Sequence, residues 1–164
     1  MAFPIVARIR DRGATPRKMR PAFNSASKLS WYATALEFHQ SLRDKRFTEQ
    51  HARAAGYAHR KGELLPRGSK AFRQSYTGRK LRMFGHTRPL EFSGETRRKV
   101  RFARISSGHR FGRIAYPGAS KFNFRHPRSR IVMSEEFRRI TQAEAQYLGE
   151  IYDADLDKRL ADGK

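Results

Sequence analysis

Only 32 of the 164 residues are Leu, Ile, Val or Phe, and twelve of those are Phe. A core is built from burial of such side chains, and just under a fifth lies at the border below which highly charged chains do not fold alone. An aromatic content of 12% offsets the shortage in part. The chain therefore has material for one domain with an added arm, not two full cores. A partner or an oligomer is expected to complete it.

Charge sets the second bound. The chain carries 36 basic and 15 acidic residues, a formal net charge of +21 and a pI near 11.3. Such a field attracts phosphates, acidic protein surfaces or anionic lipid. Arg outnumbers Lys by 26 to 10. The planar guanidinium fork suits ordered contacts with carboxylate or phosphate, although a GC-rich coding sequence produces the same bias. Residues 134–164 have a net charge of −3, whereas residues 1–133 have +24. A basic body with a mildly acidic end suits head-to-tail contact between copies.

Several classes of function are disfavoured. With no cysteine there is no disulfide, thiolate metal site or Cys nucleophile. No run of 18 apolar residues marks a membrane span, so no membrane partner is expected. His39, His51, His59, His86, His109 and His126 fall in no metal-ligand spacing. In the basic body Glu91 and Glu95 are the only neighbouring acids, too few for a two-metal nuclease. Gly68-Ser69-Lys70 lacks the second glycine and the preceding strand of a phosphate loop. No catalytic residue, cofactor or metal is assigned, and an enzyme is not expected.

The pattern of residues predicts an α+β fold. Residues 1–24 read as an extended basic arm, because Pro4, Pro16 and Pro21 interrupt helical structure. Residues 25–164 form the single domain. Its helical part, 25–56, opens with a helix at 27–45 whose stripe is Leu29, Tyr32, Ala33, Leu36 and Leu42. A weaker helix at 48–55 stops at Gly56. Residues 57–98 read as an irregular basic connection, in which Ser93 can cap a short helical turn. Runs at 99–105, 110–116, 121–125 and 130–133 alternate apolar and basic residues between turn sequences, predicting a four-stranded antiparallel meander over 99–133. Val100 and Phe102 then share the apolar face, as do Phe122 and Phe124, with the bases opposite. A C-terminal helix over 141–160 follows a capping box, Thr141-Gln142-Ala143-Glu144, with Ile140 and Ala145 placed as a staple. Its stripe of Leu148, Ile151 or Tyr152, Leu156 and Leu160 is expected to cover the sheet.

The strongest binding candidate is the basic cluster Arg97, Arg98, Lys99, Arg101 and Arg104. It reads as contact with a nucleic-acid backbone, as a solvated strand face, or as a face that meets acidic protein. The interleaved Phe residues fit stacking on bases, but their period of two is more simply that of a core. Arg8, Arg10, Arg12, Arg17, Lys18 and Arg20 are the candidate contacts of the arm.

From Tyr57 onward the order of features resembles the head-tail joining and tail-completion proteins of tailed bacteriophages. The resemblance is carried by Tyr57 with Arg60-Lys61, by Tyr76 with Lys80, and by Pro89-Leu90-Glu91-Phe92-Ser93-Gly94-Glu95-Thr96-Arg97. Asn123-Phe124-Arg125, Arg130-Ile131-Val132-Met133, Glu136 and the capped helix at Thr141 continue it. It spans roughly two thirds of the chain and rests on order and spacing; the arm, the helix at 27–45 and the high charge lie outside the pattern. It implies an α+β subunit of a homo-oligomeric ring at the neck or tail end of a virion, with no catalytic residues. The implied partners are portal, neck or tail proteins with acidic surfaces, and packaged DNA within reach. The rival reading is a nucleic-acid-binding protein of ribosomal or nucleoid type, favoured by charge alone.

Overall fold

The structure, a computed structural model, describes residues 16–123 and 131–162. Among these, seven helices run in the order α1 (Pro16–Glu37), α2 (Glu49–Ala54), α3 (Lys70–Gln74), α4 (Tyr76–Phe84), α5 (Glu95–Lys99), α6 (Met133–Arg138) and α7 (Gln142–Asp162). One antiparallel hairpin, β1 (Arg104–Gly108) with β2 (Phe111–Ala115), lies between α5 and α6. A π-helical turn, Phe38–Leu42, and a 3-10 turn, Asp44–Phe47, join α1 to α2.

The four-stranded meander expected over 99–133 is not formed, and the fold is mainly helical. The run at 99–105 is broken by the end of α5 and the turn after it, where the Arg101 N–H bonds the Arg98 carbonyl. Val100 is consequently buried while Phe102 is 78% exposed, so the two do not share a face. The third run becomes a 3-10 turn, Ser120–Asn123, that buries Phe122; Phe124 and Arg125 lie outside the described residues. Met133 of the fourth run opens α6. Short apolar runs fit a strand and a buried turn or helix equally well, and here only one pair has the partner that makes it a hairpin.

The arm expected at 1–24 is helical from Pro16. Proline is tolerated in a first helical turn, where Pro16 stands; Pro21 lies inside the helix, where it removes one backbone bond and its ring crowds the carbonyl four residues back. The face of α1 that turns inward matches the predicted stripe only in part: Leu42, beyond its end, is buried and Ala33 and Leu36 are half-buried. Leu29 and Tyr32 are exposed, whereas Ala26, Ser27, Ser30, Thr34 and Ala35 are buried. Their hydroxyls are satisfied locally: Ser30 Oγ donates to the Ala26 carbonyl at 3.1 Å and Thr34 Oγ1 to that of Ser30 at 2.9 Å. Small side chains let neighbouring backbone come close. A Cβ on Gly112 would lie 2.5 Å from the Trp31 carbonyl oxygen, so β2 needs glycine there.

Helix α7 packs on α1 and does not cover the sheet as expected. The Tyr152 ring lies tilted against Trp31 at 4.6 Å and its hydroxyl shares a 2.7 Å hydrogen bond with Ser27, whose Oγ also lies 2.7 Å from the His109 carbonyl in the hairpin turn. The capping box is present: the Thr141 N–H donates to Glu144 Oε2 at 3.0 Å, and the Glu144 N–H to Thr141 Oγ1 at 3.3 Å. The staple is absent, since Ile140 and Ala145 are both exposed. Thr48 caps α2, which ends before Gly56 at φ 63°. The connection over 57–98 is more ordered than predicted. Ser69 and Ser75 each accept a backbone N–H to start α3 and α4. Ser93 caps nothing; Gly94, at φ 83°, precedes α5.

The hydrophobic core is small and largely aromatic. Phe137 of α6 meets Phe122 at 4.8 Å, Tyr116 at 5.4 Å and Phe47 at 6.0 Å, with Tyr57, Leu90, Val100 and Ala119 around them. Beside it lies a buried ion cluster. Arg46, wholly buried, places Nη1 2.5 Å from Glu144 Oε1 and 2.9 Å from His51 Nε2. Burial raises the pKa of Glu144, but the bonds from Arg46 and Thr141 outweigh it and hold the carboxyl below its usual range. Burial and the Arg46 charge hold His51 below the usual imidazole value of 6.5.

These directions fix how stability responds to substitution and pH. Glu144→Ala leaves a buried guanidinium without its carboxylate, and a loss of about 3 kcal/mol in urea unfolding at pH 7 is expected. In the wild type, both folded pKa values are depressed. The unfolded chain therefore takes up protons first, at His51 below pH 6.5 and at Glu144 below 4.5, and stability falls as pH drops. His51→Gln should flatten the slope between pH 7 and 5, leaving the share that His39 and His86, also depressed by burial, contribute. An unchanged slope and a neutral Glu144→Ala would refute the cluster's role.

Candidate docking surface

The predicted basic cluster divides in two when folded. Arg97 Nε lies 3.6 Å from Asp44 Oδ1, and its guanidinium sits 6.0 Å from the Phe47 ring centre. Lys99 pairs with Glu95 at 2.9 Å, and Lys121 pairs with the same carboxylate. The bonds from Lys121 and Lys99 bring the Glu95 pKa down to about 2. Arg97 and Lys99 are thus engaged within the chain. Arg98, Arg101 and Arg104 are exposed and have no acidic partner among the described residues.

The hairpin explains how this second group becomes a surface. Its register pairs Arg104 with Ala115, Ser106 with Arg113 and Gly108 with Phe111. Directly paired residues share a face, so Arg104, Ser106, Phe111 and Arg113 all lie on one side. Ile105 and Ile114 lie on the other, with Gly112 against α1. The outer side is consequently basic and aromatic. Phe111 is 49% exposed; its ring crosses Gly108, where a Cβ would lie 2.8 Å from it. The Arg113 guanidinium is 5.6 Å from the centre of that ring. Arg110 is exposed in the turn, and Arg101 and Phe102, also exposed, precede β1 in the chain.

Sequence reasoning missed Phe102, Phe111 and Arg113 as surface residues because period-two spacing assigned the Phe residues to a core. The sequence shows two glycines, Gly108 and Gly112, around Phe111, but that Gly108 pairs with Phe111 and Gly112 meets α1 appears only in the fold. Of the arm candidates, Arg17 and Lys18 fall in the first turn of α1, and Arg20 is exposed on it. Arg8, Arg10 and Arg12 lie outside the described residues.

Glu91 and Glu95 do not form a carboxylate pair. Glu91 is buried beside His86 Nε2 at 3.7 Å and Arg88 Nη1 at 3.8 Å. Nearby, Lys80 is 3% exposed and donates to the Arg88 carbonyl. Burial lowers its pKa to about 8, against the opposing pull of Glu91. These groups brace the segment around Leu90, a buried non-glycine residue at φ 55°. Among the described residues no three His, Asp or Glu side chains are grouped to hold a metal ion, and no helix is long and apolar enough to cross a membrane. Comparison with family models, curated proteins and solved structures found no match to this chain.

The division of the cluster has a direct consequence. In samples dilute enough to be monomeric, Arg104→Glu with Arg113→Glu should leave the unfolding free energy within about 0.5 kcal/mol of wild type, as for surface sites without acidic partners. Arg97→Glu should cost more, because it sets a second carboxylate beside Asp44. Equal losses in thermal or urea unfolding would contradict this placement.

Proposed function

We propose that the chain is a structural subunit that docks acidic surfaces of neighbouring proteins through the outer face of its hairpin, as a ring-forming connector at a phage head-tail junction. The observation that carries this reading is the set Arg98, Arg101, Arg104 and Arg113, exposed and without acidic partners among the described residues, together with exposed Phe102 and with Phe111 beside Arg113. Arg and Phe are residue types that anchor protein interfaces, and large side chains left in water mark a surface awaiting cover. The order of features from Tyr57 to the capped helix points to the virion neck or tail end, with portal, neck or tail proteins as partners. The resemblance draws no support from the sheet, which is reduced to a hairpin.

The same aromatic residues favour a second reading. Phe rings beside arginines also form stacking platforms for single-stranded nucleic acid. Two measurements separate the readings. Native mass measurement at tens of micromolar protein should give a closed oligomer of one defined mass under the connector reading. Filter binding of single-stranded DNA should then be weak. A monomer at all concentrations, combined with tight binding whose logarithmic salt slope approaches about −3, as expected for some four phosphates, would overturn it in favour of nucleic-acid binding.

A further inference from the structure

Helix α7 presents two faces of different character. Toward α1 it places Tyr152 on Trp31, and Tyr147 donates to Glu37 at 2.5 Å. Asp155 is held at 2.5 Å by Arg159 within the helix. On the opposite side, at helical spacing, stand Glu150, Asp153 and Asp157, all exposed. Glu150 accepts a bond from Gln146 at 3.2 Å. Asp153 and Asp157 have no basic partner among the described residues, in a chain of net charge +21. The stripe continues into Leu160, which is 37% exposed.

Unpaired carboxylates on so basic a chain stand out because oppositely charged groups are abundant. Those groups are on the hairpin, and both surfaces point away from the same helix. The inner sides of α7 and of β1–β2 both pack on α1, so the two outer sides cannot meet within one chain. No ion pair joins them among the described residues. Their spacings agree. Asp153 and Asp157 are about 6 Å apart along a helix axis. Arg104 and Arg113 are offset by two residues along the hairpin, about 7 Å.

We propose that copies of this chain associate head to tail, with Glu150, Asp153 and Asp157 of one copy docked on Arg104, Arg113 and Phe111 of the next. The occupant is a second copy, because charge complementarity is met by the chain itself and the two patches differ. A contact between unlike patches repeats from copy to copy and closes into a ring where the rotation allows. Leu160 and the Phe111 ring supply apolar contact between the charges. The inference rests on the ring-forming reading above and adds to it which surfaces meet.

The test uses two full-length variants, Asp153→Arg with Asp157→Arg, and Arg104→Glu with Arg113→Glu, each checked for native helicity by circular dichroism. In native mass measurement each alone should fall to monomer, since like charges then face each other. An equimolar mixture should re-form oligomers in which the two variants alternate, with the wild-type number of copies where that number is even, because each variant's reversed face complements the other's. The milder Asp153→Asn/Asp157→Asn variant should weaken association at least tenfold while keeping the fold. If the wild type is oligomeric but the variants keep its mass, or the mixture stays monomeric, this interface is wrong and the ring reading stands. If the wild type is monomeric throughout, both fall.

Discussion

Both oxygens of Glu144 are committed, and the arrangement of the helices depends on it. Oε2 accepts the Thr141 N–H that starts α7, and Oε1 meets the buried Arg46 guanidinium. One carboxylate therefore fixes where α7 begins and ties it to the turn that leads out of α1. From that point α7 runs back along α1, with Tyr147 at Glu37 and Tyr152 at Ser27 and Trp31. Arg46 is held further by the Phe38 ring, 4.8 Å from its guanidinium. A buried pair of this kind adds little net stability over apolar replacement, yet losing either member leaves a buried charge. It serves to fix position in a fold with few aliphatic side chains.

The basic surplus is partitioned by the fold. Arg46, Arg60 and Arg97 are drawn inward to Glu144, Glu136 and Asp44. Glu136 also accepts the Ala58 N–H at 2.9 Å, which binds the segment after α2 to α6. Lys80 is buried as well, on the Arg88 carbonyl, and most of the remainder stays outside, where like charges repel. On the hairpin that remainder is interleaved with exposed aromatic rings. Solvated charge alone needs no Phe at the surface, and it is this combination on which the proposed docking rests.

Legibility in the sequence followed how local each signal was. The capping box at Thr141 was readable because its donors and acceptors lie three residues apart; that Glu144 also holds Arg46, 98 residues away, was not. The stop at Gly56 was local too. The stripe on α1 misled because hydrophobicity was taken to mark the inner face, whereas Ser27, Ser30 and Thr34 satisfy their hydroxyls and permit close approach. The meander failed for a related reason: alternation in a run of five residues does not say whether a partner strand exists. Of the basic cluster, Arg98, Arg101 and Arg104 are exposed, whereas Asp44 and Glu95 claim Arg97 and Lys99, contacts that no local spacing announces.

The central claim is that the outer hairpin face is covered when the protein works. Hydroxyl-radical footprinting of the wild type, read by mass spectrometry in dilute and in assembled samples, addresses this side chain by side chain. Phe102 and Phe111, 78% and 49% exposed in the single chain, should lose most of their oxidation on assembly. Leu64, 76% exposed and remote from the hairpin in sequence, should keep its own. Equal oxidation of Phe102 and Phe111 in the two samples would contradict the account.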